Sequence, residues 1–286
     1  PIFTENSLIV IFHAGIGQDF EVPFLDPTPY DLPSAYIDDD MLVGSDIPEI
    51  NGIEINRGIL LPETQNHIYF DVIEDIFLGE SDYCDYQLGM TGTFSFLLGY
   101  ALGLPPLFNT ESGEPGVGIF GLMDHGSNNG RGVMPAPPTA WTRIMKDWVD
   151  PIMVDGEETL NVPARNYQFN IENTDTVYRL DINSKEYFLI ENRNNWVTID
   201  TLTIDQLRDE HQISPTKPGH WFDTIIKEMD GTQIIFSEDS VILGFDNYDY
   251  GLPYSGSLVW HITESDGELM LGINNDIGNR SVHLEE

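Results

Sequence analysis

Residues 90–104, MTGTFSFLLGYALGL, are the clearest helix in the sequence, and the rest of the fold is inferred outward from them. The segment is almost wholly apolar, which predicts a helix that is buried in the protein interior. Gly103 stands near its end, and Pro105 and Pro106 follow, a combination that stops a helix. We therefore expect a core helix that ends close to residue 104.

Short apolar runs on either side of this helix predict further elements. Residues 7–13, SLIVIFH, and residues 58–62, GILLP, are typical of short buried strands. Residues 109–138 are rich in Gly, Asn and Pro and predict a long irregular loop. Residues 138–149 predict an amphipathic helix. One side of that helix would carry Trp141, Ile144, Met145 and Trp148.

The sequence changes character near residue 150. Short alternating runs such as VYRLDI, EYFLIEN, SVILGF and SLVWHI recur from there, separated by turn residues. This pattern favours antiparallel strands. We therefore expect an α+β fold, with a mixed domain over residues 1–150 and a β-rich C-terminal region over residues 151–286 packed on it.

The composition bears on which partners the chain can have. Lys and Arg number 12 against 48 Asp and Glu, for a net charge of −36. Such a surface repels phosphate, which argues against nucleic acid. No apolar run approaches the roughly 20 residues of a membrane span. The single Cys84 permits no internal disulfide. Since the chain begins at Pro1, we expect a fragment of a longer precursor.

The segment around the core helix, residues 92–110, reads GTFSFLLGYALGLPPLFNT. It resembles the zinc-binding helix of secreted metallopeptidases of the immune inhibitor A type, H-E-x-G-H-x-L-G-L-P-D-L-Y-D. In that family two His and one Asp bind zinc, and the Glu activates the zinc-bound water. The residues that shape the backbone there, Gly99, Gly103, Leu104 and Pro105, are all retained.

The metal-binding positions of that motif are not retained. Phe96 and Tyr100 stand where the two His are expected, Leu97 replaces the Glu, and Pro106 replaces the Asp. Phe and Leu offer no lone pair, and a protonated Tyr phenol is a poor ligand. The resemblance therefore implies a catalytically inactive member without zinc. We expect the large side chains of Phe96, Leu97 and Tyr100 to fill the vestigial site.

Six further strings match the family in order, one of them with Met123 at the position of its methionine turn. They are residues 9–16 (IVIFHAGI), 118–130 (GIFGLMDHGSNNG), 135–151 (PAPPTAWTRIMKDWVDP), 186–193 (EYFLIENR), 256–262 (GSLVWHI) and 282–286 (VHLEE). The resemblance implies a zincin-like mixed α/β domain over residues 1–150. It also implies secretion, and hence an extracellular or cell-surface location.

Three functions follow as alternatives. The first is a non-catalytic peptidase-like module for scaffolding, protein binding or self-association. The second is an active peptidase with a site rebuilt around His125 and nearby carboxylates. The third is a structural subunit of a surface filament or layer. Its contacts would use Tyr83, Tyr86, Tyr248 and Tyr250, which otherwise pack within the domain.

A calcium site is the one cofactor that remains open. Asn274, Asn275 and Asp276 form an oxygen-rich turn, and calcium takes six to eight oxygen ligands from such turns. A solvated acidic turn is the competing interpretation, and the overall charge favours it.

Overall fold

The computed structural model of the chain describes residues 4, 7–17, 19, 32–44, 47–66, 87–130, 132–165, 175–195, 199–203, 240–245, 247–264 and 272–285. The fold is α+β, as expected from the sequence. The chain divides into two compact units, residues 1–104 with 131–133, and residues 105–130 with 134–286. The expected boundary near residue 150 and the zincin-like assignment both stay predictions.

The first unit contains one helix and six short or medium strands among its described residues. These are β1 (Ile9–Ile16), β2 (Ala35–Ile37), β3 (Glu49–Ile50), β4 (Ile53–Glu54), β5 (Gly58–Asn66), β6 (Gln87–Leu88) and α1 (Met90–Ala101). The described part of the second unit contains α2 (Ala140–Met145), β7 (Ile152–Met153), β8 (Tyr178–Asp181), β9 (Glu186–Arg193), β10 (Ile199–Thr203), β11 (Ser240–Phe245), β12 (Gly256–Thr263) and β13 (Val282–Leu284).

The two strands expected at 7–13 and 58–62 are present as β1 and β5, and they pair in parallel. β2 and β6 both run antiparallel to β5. Ile59 and Leu61 alternate on one face of β5 and are fully buried. Leu97 of α1 packs against both of them, so the core of this unit lies between helix and sheet.

The end of α1 is set by its glycine. Gly103 has a φ of 73°, which is the left-handed conformation that glycine adopts without strain. The N–H of Leu104 donates to the Gly99 carbonyl at 2.9 Å, and the N–H of Gly103 donates to the Tyr100 carbonyl at 2.8 Å. These two bonds form a Schellman motif. The helix therefore ends at Ala101, three residues before the expected position.

The second unit is built on a five-stranded sheet with the order β13-β12-β9-β8-β7. All neighbours are antiparallel except β7 and β8. Alternate residues of β9 are buried, beginning with Tyr187 and Leu189. Trp260 and Ile262 of β12 are also fully buried. The expected antiparallel, β-rich character of this region is therefore present.

The helix expected over residues 138–149 is shorter than its sequence pattern. It spans Ala140–Met145, and the Thr139 side chain caps it by accepting from the N–H of Thr142. Its buried residues include Arg143, while Trp148 lies beyond its end and is half exposed. Arg143 points into the protein because the carboxylates of Asp175 and Glu191 bind its guanidinium group there.

Glu191 of β9 is the centre of this buried charge network. Its Oε2 accepts from Arg143 at 2.8 Å, and its Oε1 accepts from Trp260 Nε1 at 2.9 Å. Arg193 is also close, with its Nη1 atom 3.9 Å from Oε1 of Glu191. Burial alone would raise the pKa of Glu191, but the charges of Arg143, Arg193 and Arg165 outweigh it and lower the pKa to about 2.

Glu191 should make the second unit sensitive to acid. The pKa of Glu191 is about 2 in the folded chain and 4.5 in the reference state. The ionised side chain therefore contributes fully to the free energy of unfolding above about pH 4.5, and this contribution is lost as the pH falls toward 2. This linkage is worth on the order of 3 kcal/mol. Urea unfolding at several pH values should show the stability difference between the parent chain and Glu191→Gln shrinking across that range. A difference independent of pH would contradict the ionised state.

Candidate functional site

The face of α1 that would carry the metal ligands consists of apolar and aromatic side chains. Leu97 is only 7% exposed and joins Ile59 and Leu61 in the core. Phe96 is half-buried and packs against the same cluster. A carboxylate at position 97 would therefore face hydrocarbon, and a metal ion at position 96 would find no donor atom in the side chain.

Tyr100 is held among other rings. Its ring stacks on Tyr36 with centroids 6.4 Å apart and planes 8° from parallel. It meets Phe96 edge to face, with centroids 5.0 Å apart. Burial raises the pKa of the Tyr100 phenol to about 12. The phenol is therefore neutral at physiological pH, and Tyr100 does not supply the phenolate oxygen that a metal would require.

Pro106 and Met123 belong to the second unit, and both are buried. The N–H of Leu107, the residue after Pro106, donates to the Met123 carbonyl at 2.8 Å, which places the two segments side by side. Neither residue offers a side-chain oxygen or nitrogen. The structure thus brings the segment of Pro106 close to that of Met123 within this unit.

The turn that carries Met123 is organised by Asp124, a residue that the sequence did not single out. Its Oδ2 accepts from the N–H groups of Gly116, Val117 and Gly118 at 2.7–2.8 Å, and its Oδ1 accepts from the N–H of His125 at 2.7 Å. The side chain is almost fully buried. Asp124 therefore acts as an anchor for the loop, and four backbone donors occupy its carboxylate.

His125 is exposed, and its Nε2 lies 3.3 Å from the Gly113 carbonyl. The neighbouring carboxylate of Asp124 is directed at backbone amides and not at the imidazole ring. A hydrolytic site rebuilt around His125 stays a prediction, and these contacts give it no base–carboxylate pair.

The oxygens of the expected calcium turn take part in hydrogen bonds. Asn274 is buried, and its Oδ1 accepts from the N–H of Val282 at 3.0 Å. Asn275 Oδ1 accepts from the N–H of Thr110 at 2.8 Å. Asp276 accepts from the Asn279 side chain and the Gly278 N–H, and these two hydrogen bonds lower its pKa. These hydrogen bonds hold the turn in place without a metal ion. Calcium binding there stays a prediction.

The tyrosines proposed for assembly contacts are only partly described. Tyr248 is 39% exposed. Tyr83, Tyr86 and the side chain of Tyr250 lie outside the described residues. Filament or layer contacts through these rings stay a prediction.

Within the described ranges, one group of three His or carboxylate side chains brings its donor atoms close enough to share a metal ion. It consists of His261, His283 and Glu285. All three belong to the second unit, on and just after strands β12 and β13. The sequence did not single out His261 or His283, which lie on different strands.

Comparisons of the chain with protein-family models, with curated proteins and with solved structures found no match. In the described part of the chain, no helix has both the length and the apolar character needed to cross a membrane.

Proposed function

We propose that the chain is a non-catalytic, metallopeptidase-like extracellular module that serves as a scaffold, a binding module or an assembly module. The observation that carries the proposal is the packing of Leu97 into the core at the position of the catalytic glutamate. A peptidase of this type needs that carboxylate beside a metal-bound water. Here the position supplies hydrocarbon to the Ile59 and Leu61 cluster.

The two neighbouring positions support the same proposal. Phe96 and Tyr100 pack edge to face, and the Tyr100 phenol stays protonated because burial raises its pKa to about 12. Zinc at a catalytic site takes three protein ligands from His, Cys, Asp or Glu. Phe96, Tyr100 and Pro106 supply none of these, so the family's reaction has neither its metal nor its base. A zincin-like fold is retained in this proposal as a frame for protein contacts.

A hydrolysis assay tests the absence of catalysis. The purified chain should release no peptide from casein above a buffer blank, with or without added Zn²⁺, because no water-activating group stands on α1. The variant His125→Ala should behave identically. Turnover that a chelator abolishes would overturn the proposal, and its loss in His125→Ala would favour a rebuilt site. Zinc that is bound elsewhere on the chain without turnover leaves the proposal intact.

A further inference from the structure

The sheet of the second unit places two imidazole rings opposite each other. His261 of β12 and His283 of β13 are paired residues in the antiparallel register, and their ring centroids are 4.8 Å apart. Directly opposed residues present their side chains on the same face of a sheet. Trp260 and Ile262 are buried on the other face, so the two His side chains lie on the face away from that part of the core.

Two glutamates extend this cluster along the same face. Glu285 follows His283 by two residues, and its N–H continues the ladder by donating to the Val259 carbonyl at 2.9 Å. Glu186 of β9 stands two residues from Phe188, the residue that pairs with His261. Because side chains alternate with a period of two, both carboxylates lie on the face of the imidazole rings.

The distances between donor atoms match those of a metal site. Glu285 Oε1 lies 2.9 Å from His261 Nδ1 and 3.5 Å from His283 Nε2. One donor atom from each of the three residues falls within 4.8 Å of the others. Ligands at about 2.0–2.2 Å from a tetrahedral zinc ion are roughly 3.3 Å apart. Small side-chain adjustments would place all three around one ion.

Glu186 provides the outer contact that metal-binding imidazoles require. The Nε2 atom of His261 lies 2.9 Å from Glu186 Oε1. A histidine ligand usually donates its second N–H to a carboxylate, which orients the ring and fixes its tautomer. With the proton on Nε2, the lone pair of His261 Nδ1 is directed toward Glu285. His283 Nδ1 is buried, and no hydrogen-bond partner for it is found among the described residues.

The cluster opens into a cleft of about 1090 Å³. His261, His283, Glu186 and Glu285 line one part of it, and the turn Gly278–Arg280 lines another. The cleft gives a hydrated ion a route to the side chains. It also leaves room for water in a fourth coordination position, the arrangement found in metal sites with three protein ligands.

We propose that His261, His283 and Glu285 bind a divalent transition-metal ion of the zinc class, with Glu186 as a positioning residue. Imidazole nitrogens suit zinc, copper and nickel, whereas calcium and magnesium prefer oxygen ligands. The net charge of −36 raises the local concentration of cations. This site shares no residue with α1 and does not depend on the proposed function.

Binding of Zn²⁺ alone, measured by titration calorimetry at neutral pH, tests the proposal. We expect one ion per chain in the parent protein. His261→Ala and His283→Ala should each weaken binding by at least about 100-fold, and Glu186→Gln by roughly 10- to 100-fold. His125→Ala, which removes an exposed imidazole in a loop, is the matched control and should bind as the parent does. Ca²⁺ should not compete.

Two further measurements keep the test decisive if an alanine variant unfolds. Glu285→Gln changes a partly exposed side chain at the strand end and should weaken Zn²⁺ binding without changing the circular dichroism of the metal-free chain. Co²⁺ should give a visible absorption band that this variant lacks. The competing interpretation of the short His261–Glu285 contact is that the two side chains share a proton and bind no metal ion. Equal Zn²⁺ binding by the parent and the double variant His261→Ala/His283→Ala, or none by either, would overturn the proposal.

Discussion

Arg193→Ala should lower the free energy of unfolding by about 3–5 kcal/mol, because it leaves buried carboxylates without their counter-charge. The Nε atom of Arg193 donates to both oxygens of Asp249 at 3.0 Å, and Nη2 also contacts that carboxylate. Its Nη1 donates to the Phe120 carbonyl at 2.7 Å. Asp249 is fully buried and Glu191 is 1% exposed, so water cannot replace the lost guanidinium. Urea unfolding followed by tryptophan fluorescence measures the loss.

Arg179→Ala on the neighbouring strand is the matched control. Arg179 also pairs with a carboxylate, Asp181, at 2.7 Å, and its guanidinium lies over the Tyr187 ring. Both partners of this pair are solvent-accessible, and such pairs contribute about 0–1 kcal/mol. With the ring contact included, the loss should stay below about 2 kcal/mol. If the two substitutions lowered the free energy of unfolding equally, the ion pairs of Arg193 would not be shielded from water as the structure indicates.

Leu97→Glu should destabilise the first unit by at least about 3 kcal/mol, although Glu is the residue that the metallopeptidase motif resembled by α1 has at this position. The new carboxylate would replace a side chain packed on Ile59 and Leu61, with no cation in that apolar cluster. Burying an unpaired charge is costly, so the Glu would take up a proton or force the helix away from the sheet. Thermal and urea unfolding should both shift, and the loss should lessen at low pH.

Thr91→Glu controls for the added charge on the same helix. Thr91 is exposed in the first turn of α1, where a negative charge interacts favourably with the helix dipole. The substitution should be neutral or stabilising by up to about 1 kcal/mol. If Leu97→Glu were tolerated as well as Thr91→Glu, position 97 would face solvent or an open site, and the inactive interpretation of α1 would fail.

Local sequence signals predicted the main elements. The apolar run before Gly103 and Pro105 identified α1, and its end differs by three residues because a glycine-dependent turn closes the helix. The run at 58–62 identified β5, which continues to Asn66. These signals depend on residues close in sequence, which is why they are readable without the fold.

Contacts between distant residues were not predictable in the same way. His261 and His283 face each other only because β12 and β13 pair with one particular register, and neither residue has a second His at helical spacing in the sequence. Each His does sit between apolar residues in a short strand, WHI and VHL, which was the available signal. Asp124 had none, since a single Asp after Met123 does not reveal the amides it binds. The burial of Arg143 had no local signal either, because Glu191 and Asp175 bind it from outside the helix.

Anomalous scattering at the zinc absorption edge, from crystals grown with Zn²⁺, would locate any metal ion on this chain. We expect a peak between His261 and His283 and none within bonding distance of Phe96 or Tyr100. A zinc peak against α1, coordinated by the Tyr100 oxygen or by any atom beside Leu97, would contradict the assignment of this helix as a metal-free structural element.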